Sequence, residues 1–150
     1  MPGQVTITYD PDTDVCAPPP VLSLAKSVVS VSGSMVQYQI TINNSGGAAT
    51  NVALLDVNLP FWINILEVTQ SPSTPAVFSV TVVRNTFLAT TPQFPASTTV
   101  TFTMTIDVSL LSCHETRTLC VTNDVYLVAE GVIPLHEQTV VPKDCAAFCC

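Results

Sequence analysis

The chain has 150 residues, and its 4 basic and 11 acidic side chains give a formal net charge of −7. So few basic residues cannot neutralise a run of phosphates, which argues against a nucleic-acid partner. Only 10% of the residues are charged, yet no apolar stretch reaches the roughly 18 residues that a membrane-spanning helix needs, so we expect no membrane insertion.

The first residues predict synthesis without a secretory signal. Met1–Gln4 contain no basic side chain and lead into no apolar stretch, so both parts that open such a signal are missing. Six cysteines nevertheless favour an oxidising environment. Either a signal has already been removed, or the protein is made inside the cell and oxidised later. Met1 favours the second explanation.

Residues 1–20 form a predicted arm ahead of the folded body. Val5, Ile7 and Tyr9 alternate with threonines, which predicts a strand in residues 4–9. Three consecutive prolines follow at 18–20 and favour a stiff, extended spacer. The arm suits strand donation to a neighbouring molecule, although folding back as an extra strand of its own domain fits the pattern equally well.

Apolar and polar residues alternate with a period of two over much of residues 21–141. The clearest examples are residues 36–42 and 100–108, where one face is apolar and the other is rich in Thr and Gln. Further β-rich runs predict strands at 21–31, 51–59, 61–68, 77–83, 121–127 and 132–141. Turn-rich breaks lie at 43–47, 71–75 and 91–95. With no sustained helical period, this pattern predicts an all-β, antiparallel β-sandwich.

Four of the six cysteines lie outside this predicted sandwich. Cys16 belongs to the arm, and Cys145, Cys149 and Cys150 belong to a cysteine-rich tail, residues 142–150. A ring between the adjacent Cys149 and Cys150 would be strained, because disulfides prefer Cα separations of roughly 4.4–6.8 Å. All four are candidates for disulfides between subunits, and we expect such bonds from Cys16 and from at least one of Cys145, Cys149 and Cys150. The alternative is a tail of free thiols.

The other two cysteines, Cys113 and Cys120, are close together in the sequence and are candidates for a local disulfide that closes a hairpin loop. Pairing of one of them with a tail cysteine of another chain is the next interpretation. With His114 they would supply at most three ligands, whereas a structural zinc site needs four. We therefore expect no metal and no cofactor.

Lys26, Asp56 and Asn123 are candidates for an intramolecular isopeptide bond between the lysine and the asparagine, with the acid as proton shuttle. Asn123 occupies the apolar phase of its predicted strand, and a buried amide needs a partner. Ordinary hydrogen bonds would satisfy it equally well, so both interpretations stay open.

Residues 21–131 resemble the conserved repeat domain of bacterial and archaeal surface proteins, the domain-of-unknown-function family numbered eleven. The segments that carry the resemblance are Leu22–Lys26, Val36–Gly46, Ala49–Pro60, Thr98–Val108 and Thr122–Val125. The family implies an immunoglobulin-like sandwich in extracellular or envelope structures, generally without catalysis. Small copies of this kind look like subunits of bacterial spore appendages, which are made inside the mother cell.

These observations lead us to expect a structural subunit of a self-assembling extracellular or spore-surface fibre. Other copies of the chain would be its partners, joined by strand donation and inter-subunit disulfides. The alternative is an adhesin or ligand-binding surface module. We expect no enzymatic activity, because the two histidines, His114 and His136, lie in different segments and neither belongs to a catalytic motif with a carboxylate or a hydroxyl group.

Overall fold

A computed structural model of the chain describes Gly3 and residues 17–57, 59–60, 62–109 and 122–141. These residues form nine β-strands and no helix, so the described part contains no helix that could cross a membrane. The strands are β1 (Leu22–Ser32), β2 (Met35–Asn44), β3 (Ala49–Val57), β4 (Asn64–Ser71), β5 (Ser79–Val83), β6 (Thr86–Phe94), β7 (Thr98–Asp107), β8 (Thr122–Ala129) and β9 (Val132–Val140).

The strands form two antiparallel sheets. Sheet A has four strands in the order β1-β2-β7-β4, and sheet B has five in the order β5-β6-β3-β8-β9. The two sheets bury their facing sides against each other. The chain is therefore an immunoglobulin-like antiparallel β-sandwich, as the sequence predicts.

The core follows from the period of two. Along β2 and β7 every second side chain is fully buried, including Tyr38 and Ile40 from one strand and Phe102 from the other. The ring of Phe78 lies 5.4 Å from that of Phe102 and 5.5 Å from that of Phe94, in edge-on and tilted arrangements. Burial of each such side chain stabilises the fold by about 1.5–3 kcal/mol.

The predicted break at residues 91–95 is wrong in position, because β6 runs through Pro92 to Phe94. Proline is tolerated there because β5 pairs with β6 only as far as Thr90, which leaves the end of β6 as an edge. The regular pairing of β6 with β3 is also interrupted at Pro92. Asn51 stands opposite Pro92 with a φ of 51°, in the left-handed region.

The last residues of the proline spacer lie against the turn between β2 and β3. The backbone nitrogen of Gly47 donates to the carbonyl of Pro19 at 3.0 Å, and that of Ser45 donates to Val21 at 2.9 Å. A Cβ atom at Gly47 would overlap the carbonyl oxygen of Pro18. The close approach therefore requires glycine, and it fixes the position of Pro18 and Pro19 on the sandwich.

Candidate functional site

Three strands place three polar side chains in the space between the sheets. Lys26 comes from β1 at the edge of sheet A, and Asp56 and Asn123 come from the neighbouring strands β3 and β8 of sheet B. Each residue occupies the inward phase of its strand, where an apolar side chain would be expected. The side chains of Lys26 and Asp56 are both 0% exposed, and Asn123 is fully buried too.

The carboxyl group of Asp56 contacts both of the other side chains. Its Oδ2 lies 2.6 Å from Lys26 Nζ, and its Oδ1 accepts a hydrogen bond from Asn123 Nδ2 at 2.7 Å. Lys26 Nζ also contacts Asn123 Oδ1. The backbone carbonyl of Val57 accepts a second hydrogen bond from Asn123 Nδ2 at 2.8 Å. Two acceptors therefore orient the amide, with its NH₂ group toward Asp56 and its carbonyl toward the lysine.

Tyr38 supplies part of the wall of this site. Lys26 Nζ lies 4.8 Å from the centroid of its ring, and the tyrosine is fully buried. Burial raises the pKa of Tyr38, so the phenol stays neutral. The ring screens the amine from water without offering it a charge.

Burial shifts the pKa values of the lysine and the aspartate toward each other. Desolvation lowers the pKa of Lys26, and the attraction of Asp56 only partly opposes it. Desolvation likewise raises the pKa of the Asp56 carboxyl, against the opposing effect of Lys26. Both shifts favour the uncharged pair of a free amine and a carboxylic acid, because a dry site disfavours separated charges.

This arrangement brings together a nucleophile, an acyl group and a proton carrier. A neutral lysine amine is a nucleophile, the side-chain amide of Asn123 is a potential acyl donor, and a carboxyl group can move protons between them. The plainer interpretation is a buried ion pair with an asparagine hydrogen-bonded to it. Both interpretations use the same contacts.

A second feature lies on the outer face of sheet B, beside the irregularity at Asn51. A groove of about 330 Å³ is lined by Asn51, Val52, Ala53, Thr90, Thr91 and Pro92. It forms where the left-handed backbone of Asn51 faces Pro92 and the regular pairing of β3 with β6 is interrupted.

Apolar side chains continue this groove across the same face. Leu55 pairs with Leu88 on one side and with Tyr126 on the other, and Ala53 pairs with Val128. Leu55, Leu88 and Val128 are all exposed. The result is an apolar row that crosses the centre of the sheet, where polar residues are the usual choice.

Polar contacts border this row at β9. The ring of His136 stacks on Tyr126 with centroids 4.4 Å apart. Its Nε2 lies 2.7 Å from Asp124 Oδ1, which also accepts a hydrogen bond from Gln138 at 2.9 Å. These contacts hold the aromatic end of the row in place.

The structure brings together Lys26, Asp56 and Asn123, the three residues predicted as isopeptide candidates. All other predicted site residues lie outside the described part of the chain, so their disulfide and strand-donation roles stay predictions: Val5, Ile7, Tyr9, Cys16, Cys113, Cys120, Cys145, Cys149 and Cys150. Within the described residues, no group of three or more His, Cys, Asp or Glu could hold a metal ion.

Sequence reasoning missed Tyr38 as part of the site and missed the outer groove entirely. The signal for Tyr38 was its inward phase on the strand next to Lys26. For the groove no local signal exists, because it depends on Asn51 and Pro92 meeting across two strands.

No family model matches the sequence, and no curated protein matches it; the resemblance to the surface-repeat family stays a prediction. Among solved structures, the collagen-binding subdomain ACE19 of the Enterococcus faecalis surface protein ACE is similar, with a TM-score of 0.55 and 10% identity over 78% of this chain and 92% of that one. The collagen-binding domain from a Staphylococcus aureus adhesin has a TM-score of 0.51 and 14% identity, over 78% and 95% of the two chains. At such identities the likeness shows the fold alone.

Proposed function

We propose that the chain is a non-enzymatic surface module that binds another protein on the outer face of sheet B. The observation that carries this proposal is the groove at Asn51 and Pro92, with the apolar row of Leu55, Leu88 and Val128 beside it. Two of the similar solved structures are collagen-binding domains, which supports a binding role at a cell surface and makes collagen the first ligand to test.

The chemistry of this face suits an extended polypeptide. Apolar residues that adjoin one another on a protein surface mark interaction sites, whereas apolar residues scattered singly do not. The groove adds hydrogen-bonding groups from Asn51 and Thr90 at one end of that row. Because charged residues are scarce on this chain, recognition would depend on shape and apolar contact more than on ion pairs.

The test is binding of the purified chain to immobilised type I collagen, with gelatin as the denatured control. We expect saturable binding that Leu55→Glu weakens by about tenfold or more, because a charge in the centre of an apolar contact costs at least 1–2 kcal/mol. Leu66→Glu is the matched control, since Leu66 is similarly exposed but lies on β4 of the other sheet. Absence of binding, or equal loss in both variants, would rule out this surface for collagen.

A second candidate function is the fibre subunit that the sequence predicts, and one observation favours it. Residues 27–32 of β1, the outer strand of sheet A, are exposed and uncharged, and they include Val28, Val29 and Val31. Uncharged edges are templates for strand addition. The proline spacer that links the arm to β1 lies at the opposite end of that strand, where Pro19 accepts a hydrogen bond from Gly47. An arm that pairs with the edge of the next copy would therefore give a head-to-tail, open assembly.

Electron microscopy and non-reducing gels test the fibre. We expect filaments that dissociate to monomers only in reductant, and we expect deletion of residues 1–15 to leave a folded monomer. A monomeric full-length chain under oxidising conditions would count against the fibre and leave the binding proposal standing.

A further inference from the structure

We infer that Lys26 and Asn123 are joined by an intramolecular isopeptide bond, which the folded chain forms by itself with Asp56 as the proton carrier. This modification is independent of the proposed binding function. It concerns the interior of the sandwich, whereas binding would use the outer face of sheet B.

The geometry supplies all the groups that the reaction needs. Lys26 Nζ contacts the carbonyl end of the Asn123 side chain, so the amine lies beside the carbon that it must attack. Asp56 reaches Lys26 Nζ with one oxygen, at 2.6 Å, and Asn123 Nδ2 with the other, at 2.7 Å. One carboxyl group thus spans the nitrogen that must lose a proton and the nitrogen that must gain one.

The reaction balances without any further reactant. The lone pair of the neutral Lys26 amine attacks Asn123 Cγ, and a bond forms between Nζ and Cγ. Asp56 accepts one proton from Nζ through Oδ2 and gives one proton to Nδ2 through Oδ1. The bond between Cγ and Nδ2 then breaks, and ammonia leaves. The product is a secondary amide between the two side chains, and Asp56 ends as it began, protonated.

Burial favours this outcome over a permanent ion pair. Two charges in a dry site carry a desolvation penalty that their attraction offsets only in part, and burial lowers the pKa of Lys26 and raises that of Asp56. The reaction removes the buried amine, so no lysine charge remains to be solvated. Ammonia escapes into water, which makes the bond permanent under ordinary conditions.

The bond would join the two sheets covalently. Lys26 lies near the start of the sandwich, on β1 of sheet A, and Asn123 lies near its end, on β8 of sheet B; the two residues are 97 positions apart. Tension between the proline spacer and β9 would therefore pass through the cross-link. The segment between residues 26 and 123 would carry little of that tension.

The first test is the intact mass of the purified full-length chain after complete reduction and alkylation of its cysteines. We expect a mass that is lower than the sequence mass by one ammonia molecule. Asn123→Ala and Asp56→Asn should each have their full sequence mass, with circular dichroism to confirm that they fold. Asn43→Ala is the matched control: it removes a more exposed amide from β2 and should still lose ammonia.

Trypsin locates the bond and separates it from a succinimide, which also forms with loss of ammonia. Cleavage sites exist only after Lys26, Arg84, Arg117 and Lys143. A cross-linked lysine resists trypsin, so the wild type should yield residues 1–84 joined to residues 118–143 as one species. Release of 1–26, 27–84 and 118–143 as separate peptides from the folded wild type would overturn the inference, whatever the variants do.

Discussion

At the scale of single residues, Asp56 decides whether the buried site is reactive. Its two oxygens contact the amine of Lys26 and the amide nitrogen of Asn123. The reactive form needs a protonated Asp56 carboxyl group and a neutral Lys26 amine, which carries only two protons. Lys26 and Asp56 titrate as a coupled pair, so the pH dependence belongs to both of them together.

We predict that the bond forms at a constant rate over a plateau around neutral pH and more slowly on either side. On the acid side both groups are protonated, and an ammonium is no nucleophile. On the alkaline side both are deprotonated, and the carboxylate has no proton to give. Burial raises the pKa of Asp56 from its ordinary value of 3.8 and lowers the pKa of Lys26 from its ordinary value of 10.5. The plateau should therefore begin above pH 3.8 and end below pH 10.5.

The measurement is a time course of refolding from denaturant at a series of pH values. The starting chain must not yet contain the bond, and chemical synthesis can supply it. Each sample is quenched, and mass spectrometry measures the fraction of chains that have lost ammonia. A rate that rises steadily with pH would mean that the amount of neutral amine alone controls the reaction. It would contradict the proposal that Asp56 donates a proton.

At the scale of the elements, the turn between β2 and β3 binds the end of the proline spacer. Gly47 donates to the Pro19 carbonyl, and a side chain at Gly47 would overlap Pro18. Asn44 is buried beneath this turn, and its side-chain NH₂ group donates to the carbonyl of Gly47 at 2.8 Å. The turn and the spacer therefore form one packed unit.

We predict that Gly47→Ala lowers the free energy of unfolding by about 1–3 kcal/mol, because an added methyl group must displace backbone atoms in a packed site. Ala48→Ser is the matched control, since residue 48 is exposed, and it should change the free energy of unfolding by less than about 0.5 kcal/mol. Urea titrations measure both values. Equal stability of the two variants would mean that the spacer does not dock on the turn in solution.

Much of the arrangement of strands was predictable from the sequence, because the period of two reports directly on which face of a strand is buried. The inward phase of Asn123 predicted its burial for the same reason. β6 was missed because Pro92 looked like a break, and its tolerance depends on where β5 stops pairing, which is a property of the neighbouring strand. The contact of Lys26 with Asp56 and Asn123 could be offered only as a hypothesis, since it requires two sheets to face each other in one register.

At the scale of the whole molecule, the cross-link would act mainly on the unfolded chain. A bond between residues 97 positions apart closes nearly the whole domain into a loop. By the chain-entropy estimate for a disulfide, a loop of this size stabilises the fold by about 4–5 kcal/mol. That is a large share of the roughly 5–15 kcal/mol by which folded domains are stable.

We predict that Asn123→Ala lowers the free energy of unfolding by about 4 kcal/mol or more, because it removes this loop and leaves Lys26 and Asp56 buried without the amide. Urea titration of the reduced chain measures the change, with Asn43→Ala as the control that keeps the cross-link. Lys26→Met also prevents the bond but leaves no buried amine, and Asp56 keeps its hydrogen bond from Asn123. A loss of similar size in both variants would mean that the buried amine left in Asn123→Ala adds little to the effect of the missing loop. Since the cross-link acts through the unfolded state, the slope of unfolding free energy against urea should be steeper in both variants than in the wild type, whose unfolded chain stays compact. An unchanged slope together with unchanged stability would mean that the sandwich is held by packing alone.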